Sequence, residues 1–400
     1  MKRHRLWLCL VLLAALIPSG CGGGRLLNDV SIRPAVISPN ADGMADIAEI
    51  KYTLARQSTI SIYLQDAAGR RHVFRADQRR SKGERTAYLS GVIDGTLLPD
   101  GDYLVVLEAS DERGRSKVAQ LALAISGGDP LPLTINNLNI WPTVFTPNRD
   151  GITDRVTIGY SLSKEAARVA VYLLDGAGAR SPMPEDKIRK MGSAGSHEHD
   201  YDAGVDLGAT PPPDGAYAVV VEAEDVVGNQ ARVQGSLTIE GGGVPRVEVV
   251  NRAALIAPPV VPLGSALVFT CTVRNIGLVP VRTKGPASGT EYSSLENYNA
   301  LQQYEEPGLF RLGMDFEGNS FGRPYPYRWQ LGADDELTLL DTPIGPQRYL
   351  MPGQSVTVVG RLRLEERMYK TQPYFWVGLI HEQVETVQDR IEPTPITIAF

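Results

Sequence analysis

The chain repeats itself, and a repeat limits the available folds more than any other sequence feature. Asn40, Asp42, Asp46, Tyr52 and Leu54 recur as Asn148, Asp150, Asp154, Tyr160 and Leu162 at a constant offset of 108 residues. Further along, "ISIYLQDAAG" returns as "VAVYLLDGAG" at an offset of 109, and "DGDYLVVLEASDERG" returns as "DGAYAVVVEAEDVVG" at 114. The small drift in offset is that of loop insertions, so the chain contains two copies of one module.

Each copy reads as β throughout. Ile60, Ile62 and Leu64, then Tyr103, Val105, Leu107 and Ala109, alternate as half-buried strands do. Their counterparts Val169, Val171 and Leu173, then Tyr217, Val219, Val221 and Ala223, repeat the pattern. Asp100-Gly101 and Asp214-Gly215 are turn signals between strands. Short alternating strands in modules of this size predict β-sandwiches. The expected organisation is all-β: sandwiches over 35–126 and 140–240, linkers at 127–139 and 241–245, and a further β-sandwich domain over 246–400.

The paired stretches "SPNADGMAD…DGDYLVVLEASDERG" and "TPNRDGITD…DGAYAVVVEAEDVVGN" resemble the immunoglobulin-like domains of the flagellar hook-capping protein and of gliding-motility C-terminal domains. The resemblance covers about 36–125 and 144–239 and implies non-catalytic spacers, assembly modules or adhesive units. In the last domain, "LVFTCTVRNIGLVPV" and "PGQSVTVVGRLRL" resemble strands of bacterial surface immunoglobulin-like domains over about half of the segment.

The loops that open the two copies carry the strongest chemical signal. Oxygen-bearing side chains at alternating positions around a glycine, Asn40, Asp42 and Asp46 and again Asn148, Asp150 and Asp154, resemble half of a calcium site. Calcium takes six to eight oxygens, so backbone carbonyls, water or a neighbouring residue such as Asp111 or Asp225 would have to complete the shell. Asx-turns formed by Asn40 and Asp42 are the alternative reading, and they leave Asp46 and Asp154 unexplained.

The N-terminus places the chain. Lys2, Arg3 and Arg5 precede an uncharged run at 6–17, too short for a bilayer span of about 20 residues, followed by Ser19 and Gly20. Residues 1–20 are expected to be a signal peptide. The sequence "IPSGC" resembles a bacterial lipoprotein signal, although Pro18 stands where that family usually has leucine; the resemblance implies lipid on Cys21 and a tether over 21–34. The expected location is extracytoplasmic, anchored in the cell membrane or the outer membrane.

Without residues 1–20 the chain keeps 37 Lys plus Arg against 46 Asp plus Glu, a net charge of −9. An acidic surface argues against nucleic acid, which needs a basic face. With Cys9 in the signal and Cys21 lipidated, Cys271 cannot form an internal bridge. Its alternation with Leu267, Phe269 and Val273 reads as core.

In the last domain, strands are expected at 266–274, 356–364 and 374–380, with a long polar loop at 283–309. Nine of the 28 aromatic residues fall within 292–329. They supply either a core or a binding surface for a sugar or protein, for which Tyr325, Tyr327 and Trp329 are the candidates.

Enzyme signatures are thin. "HEHD" at 197–200 could supply part of a zinc site but reads as a solvated loop, and "HEQVE" at 381–385 lacks the second zincin histidine. Asp315 and Glu317 form a carboxylate pair with no cleft in evidence, and no nucleophile elbow or phosphate loop occurs. The expected function is therefore non-enzymatic. It is a lipid-anchored binding, adhesion or assembly module with a protein or glycan partner, the alternative being a glycan-binding accessory subunit of a surface enzyme complex.

Overall fold

The computed structural model describes residues 26–129, 131–184 and 190–399, with 251–255 described as backbone only. Cys21 and the proposed signal lie outside these residues. The chain divides into two compact units, one through Pro132 together with Val226–Asn229, the other comprising Leu133–Asp225 and Gln230–Phe400.

In the first unit, strands β1 (Leu27–Arg33), β2 (Val36–Ile37), β3 (Ala48–Leu54), β4 (Ser58–Gln65), β5 (Arg71–Arg80) and β6 (Gly83–Leu89) lead to a small hairpin, β7 (Val92–Ile93) and β8 (Thr96–Leu97). Strands β9 (Gly101–Ser110) and β10 (Ser116–Ile125) close the module. One sheet has the order β1-β3-β6 and the other β2-β10-β9-β4-β5, with β2 running parallel to β10. This is an immunoglobulin-like sandwich. The second copy reproduces both sheet orders with strands Ile135–Trp141, Val144–Phe145, Val156–Leu162, Arg168–Leu174, Arg180–Pro182, Gly195–Tyr201, Gly215–Glu224 and Gln230–Ile239.

The alternation read from the sequence places the core as expected. Ile50, Tyr52, Leu54, Ile60, Ile62, Leu64, Val105 and Leu107 are buried in the first copy, and Ile158, Tyr160, Leu162, Leu173, Val219 and Val221 in the second. The expected boundaries miss β1, which lies in the segment read as tether, and most of its counterpart, which begins in the segment read as linker. Asp29 and Asn137 at positive φ bulge these strands and shift their register, so neither sequence alternates cleanly.

The recurrent Asp-Gly-x-Tyr serves the fold. Tyr103 and Tyr217 donate their hydroxyls to the carbonyls of Pro99 and Pro213 at 2.7 and 2.6 Å, a tyrosine corner. Asp100 accepts the N–H groups of Gly127 and Gly128 at 2.7 and 3.1 Å, and Asp214 those of Gly241 and Gly242 at 2.7 and 3.0 Å. The chain leaving each module is thus fastened to it.

The C-terminal domain packs one four-stranded sheet (Val247–Ala257, Ala266–Asn275, Ser355–Arg363, Glu291–Ser293) against another (Tyr327–Gln330, Phe310–Phe316, Tyr374–His381, Glu385–Pro395). The strand Phe310–Phe316 is buried on both faces. Phe310, Leu312, Met314 and Phe316 point into the sandwich core. Segment 283–309, read as a polar loop, includes a strand and the short 3-10 helix Tyr298–Leu301, and it buries Tyr292 and Tyr298.

Candidate functional site

The two opening loops have the same internal wiring but for one donor to the final aspartate, Ala41 in the first and Asp150 in the second. Asp46 Oδ1 accepts the N–H groups of Asn40 and Ala41, and Oδ2 that of Gly43 at 2.8 Å. Asn40 accepts from the N–H of Asp42 at 3.0 Å, and Asp42 from that of Met44 at 2.7 Å. In the second copy Asp154 accepts from Asn148, Asp150 and Gly151, Asn148 from Asp150, and Asp150 from Ile152. Every carboxylate of the motif therefore holds backbone of its own loop, and the final aspartate, unexplained by Asx-turns, gathers up to three N–H groups.

Asp111 and Asp225 do not complete either loop. Each lies beyond the far end of a ten-residue strand, Gly101–Ser110 or Gly215–Glu224, whose near end adjoins the loop. That separation is about 33 Å at about 3.3 Å per residue. Among the described residues no group of three or more His, Cys, Asp or Glu is placed to hold a metal ion.

The surroundings of the two loops differ. Asn40 and Asp42 are exposed, whereas Asn148 and Asp150 are buried against the C-terminal domain. Tyr349 donates its hydroxyl to Asp150 Oδ2 at 2.7 Å. His381 Nε2 lies 2.8 Å from the carbonyl of Arg149, and its ring stacks on Phe310. A Cβ on Gly308 would lie 2.1 Å from the carbonyl carbon of Asp150, and one on Gly151 2.0 Å from the carbonyl oxygen of Pro307, so two glycines at positive φ let the backbones touch. Around Gly43 there is nothing within 4 Å.

Burial sets the electrostatics of this joint. It pushes Asp150 up, and burial together with neighbouring Asp150 raises Asp154 to about 6 against the pull of its N–H donors. Burial lowers His381 to about 4, so the ring is neutral.

Tyr325, Tyr327 and Trp329 are buried, which corrects the expectation that they form an exposed binding surface. Tyr327 and Trp329 sit in the sandwich core, with Trp329 packed edge-on against Phe269 and Tyr292. Tyr325 lies over the cross-strand pair Gly313 and Gly378, whose missing side chains make a slot for its ring, and it hydrogen-bonds Asp389. Aromatic density here reflects a sheet covered on both sides.

A buried ion cluster, not read from the sequence, underlies this cover. Glu382 Oε1 binds Arg311 and Arg328 at 2.9 Å each, and Oε2 accepts the N–H of Glu306 at 3.0 Å. Glu382 belongs to the "HEQVE" stretch at 381–385, where it binds arginine and not a metal. "HEHD" is a strand, not a loop: His197 and His199 face inward and stack on Tyr160, while Glu198 and Asp200 face the opposite side. Asp315 is buried and holds the N–H groups of Phe316 and Tyr325, whereas Glu317 pairs with Lys370. Cys271 is buried, and burial raises its thiol to about 12, which suits core and not a nucleophile.

Among the described residues of this domain Tyr369 is the most exposed aromatic, with 98% of its surface open to solvent, ahead of Tyr304 and Tyr374. It borders a groove of about 360 Å³ lined also by Leu295, Phe321, Met368, Glu317 and Glu366. Among the described residues no helix is long and apolar enough to cross a membrane.

No family model and no curated protein matches the chain. Among solved structures it is similar to a Ca2+-stabilized, ice-binding adhesin of an Antarctic bacterium, at 15% identity over 93% of this chain and 73% of that one, with a TM-score of 0.23. It is similar also to the FN1–FN3 domains of chicken CNTN1, at 9% identity over 93% and 99% of the two chains, with a TM-score of 0.25. A third is SGBP-B of the Bacteroides ovatus mixed-linkage glucan utilization locus, solved with a mixed-linkage heptasaccharide, at 10% identity over 93% and 71%, with a TM-score of 0.17. These scores are too low to carry a ligand or partner to this chain.

Proposed function

We propose that the chain is an extracytoplasmic binding or adhesion protein, tethered by lipid on Cys21, whose C-terminal domain takes a glycan in the groove beside Tyr369. The carrying observation is an almost fully exposed tyrosine beside Leu295, Phe321 and two carboxylates. An aromatic face stacks on the apolar face of a sugar ring, and carboxylates accept from its hydroxyls. The two repeated modules, each an immunoglobulin-like sandwich, serve as spacers.

Affinity electrophoresis against envelope and plant polysaccharides tests the groove. Tyr369→Ala should weaken retention at least about tenfold with an unchanged melting temperature, a loss of about 1.4 kcal/mol. Equal retention of the variant would remove the groove from the function. Membrane fractionation tests the tether: Cys21→Ala should move the protein to the soluble fraction, and its persistence in membranes at high salt would sink the lipid assignment.

A further inference from the structure

Segment 70–85 carries seven Lys and Arg against two acids, in a chain whose net charge is −6. Four of its arginines, Arg75, Arg79, Arg80 and Arg85, line one open recess of about 330 Å³ together with Tyr52 and Ser81. The recess lies where β5 and β6, edge strands of the two different sheets of the first module, are joined by the short connection Ser81-Lys82. Arg85 stands directly across from Tyr52 in the β3–β6 ladder, so it shares the inner face of the sheet and is half-buried there.

The protein itself neutralises little of this charge. Glu112 pairs with Arg79, and Asp77 is held by Ser61 on β4. Arg80 hydrogen-bonds the neutral Gln78, and Arg75 lies 5.1 Å from the centre of the Phe74 ring. Arg85 Nη2 donates to the carbonyl of Ser81 at 3.0 Å, while its Nε is shut from solvent with no acceptor. Among the described residues Arg75, Arg80 and Arg85 form no ion pair. The fold does not demand an arginine there: in the second copy the residue across from Tyr160 is His197, which stacks on the ring.

We propose that this recess binds a phosphate group. Converging guanidinium forks match the oxygens of a phosphate, and anion binding relieves their mutual repulsion. The phosphate can belong to a lipid headgroup or to a soluble ester, and both present the same oxygens. Charges that merely keep an edge strand from pairing with another chain would need no recess and no inward-facing arginine.

The test uses the full chain in nonionic detergent and the variant Arg75→Gln/Arg80→Gln, whose partly exposed side chains are outside the core. Calorimetric titration with inorganic phosphate and pyrophosphate should show saturable binding, weakened at least about tenfold in the variant while the melting temperature without ligand is unchanged. Flotation with phosphatidylglycerol and phosphatidylcholine vesicles separates the sources. Preference for the anionic vesicle that phosphate competes away and the variant loses assigns a lipid headgroup; phosphate binding without that preference assigns a soluble ester. Absence of phosphate binding at low salt, or equal binding by the variant, overturns the proposal.

Discussion

The Tyr349 hydroxyl donates to Asp150 Oδ2 at 2.7 Å, joining side chains 199 positions apart in sequence. This bond belongs to the contact between the second module and the C-terminal domain, which lie in one compact unit. The last carboxylate oxygen of a loop that otherwise binds its own backbone is thereby spent on a neighbouring domain.

Asp150→Ala and Tyr349→Phe should each lower the stability of the second unit by about 1–3 kcal/mol, since each strands a buried partner. Asp42→Ala, at the exposed equivalent in the first module, should cost much less. Urea unfolding of the three variants measures this, and a double variant no worse than either single one would establish direct coupling. Equal losses at Asp42 and Asp150 would refute the joint.

Acid should weaken the same joint through His381. Held neutral down to about 4 when folded and ordinarily titrating near 6.5, its ring binds fewer protons in the folded state between those values. Its contribution is therefore complete above about pH 6.5 and is lost as pH falls toward 4. Asp154 runs the opposite way: raised to about 6, it contributes stability below about pH 4 that is lost as pH rises through 6. His381→Gln removes the first effect and leaves the second, so the stability difference between about pH 7.5 and about pH 4.5 should shift in favour of the acid side. An unchanged difference would exclude His381 as its source.

The slot beneath Tyr325 gives a steric prediction. A Cβ on Gly378 would come within 2.3 Å of the tyrosine Cζ, so Gly378→Ala should cost about 1–3 kcal/mol by overpacking. Because the clash is with this ring, Gly378→Ala combined with Tyr325→Ala should cost less than the sum of the two single changes. Thermal melts of the three variants decide it, and simple additivity would mean that the ring does not occupy the slot.

Calcium can be decided at the two opening loops by calorimetry. Carboxylates already engaged by backbone N–H groups predict the same melting temperature in millimolar calcium and in chelator. A rise with calcium that Asp46→Asn and Asp154→Asn abolish would make the loops cation sites, since a ligand that binds only the folded state stabilises it.

What the sequence determined by itself was the local and periodic part. The offset between Asn40 and Asn148 revealed two modules, and the alternation of Ile60, Ile62 and Leu64 gave strands and their buried face, because a strand's two faces are written at every second residue. The sequence also located the aromatic cluster around Tyr327 and Trp329 but could not say whether it was covered. Burial there depends on chain arriving from 283–309 and on the glycines at 313 and 378, far apart in sequence. The clearest division lies between Asp42 and Asp150. Their loops share the motif and all but one of the internal hydrogen bonds, yet one is exposed and the other buried against Tyr349. Nothing within a loop's own residues encodes which surface will meet it, so only the tertiary structure decided that the second copy is a joint.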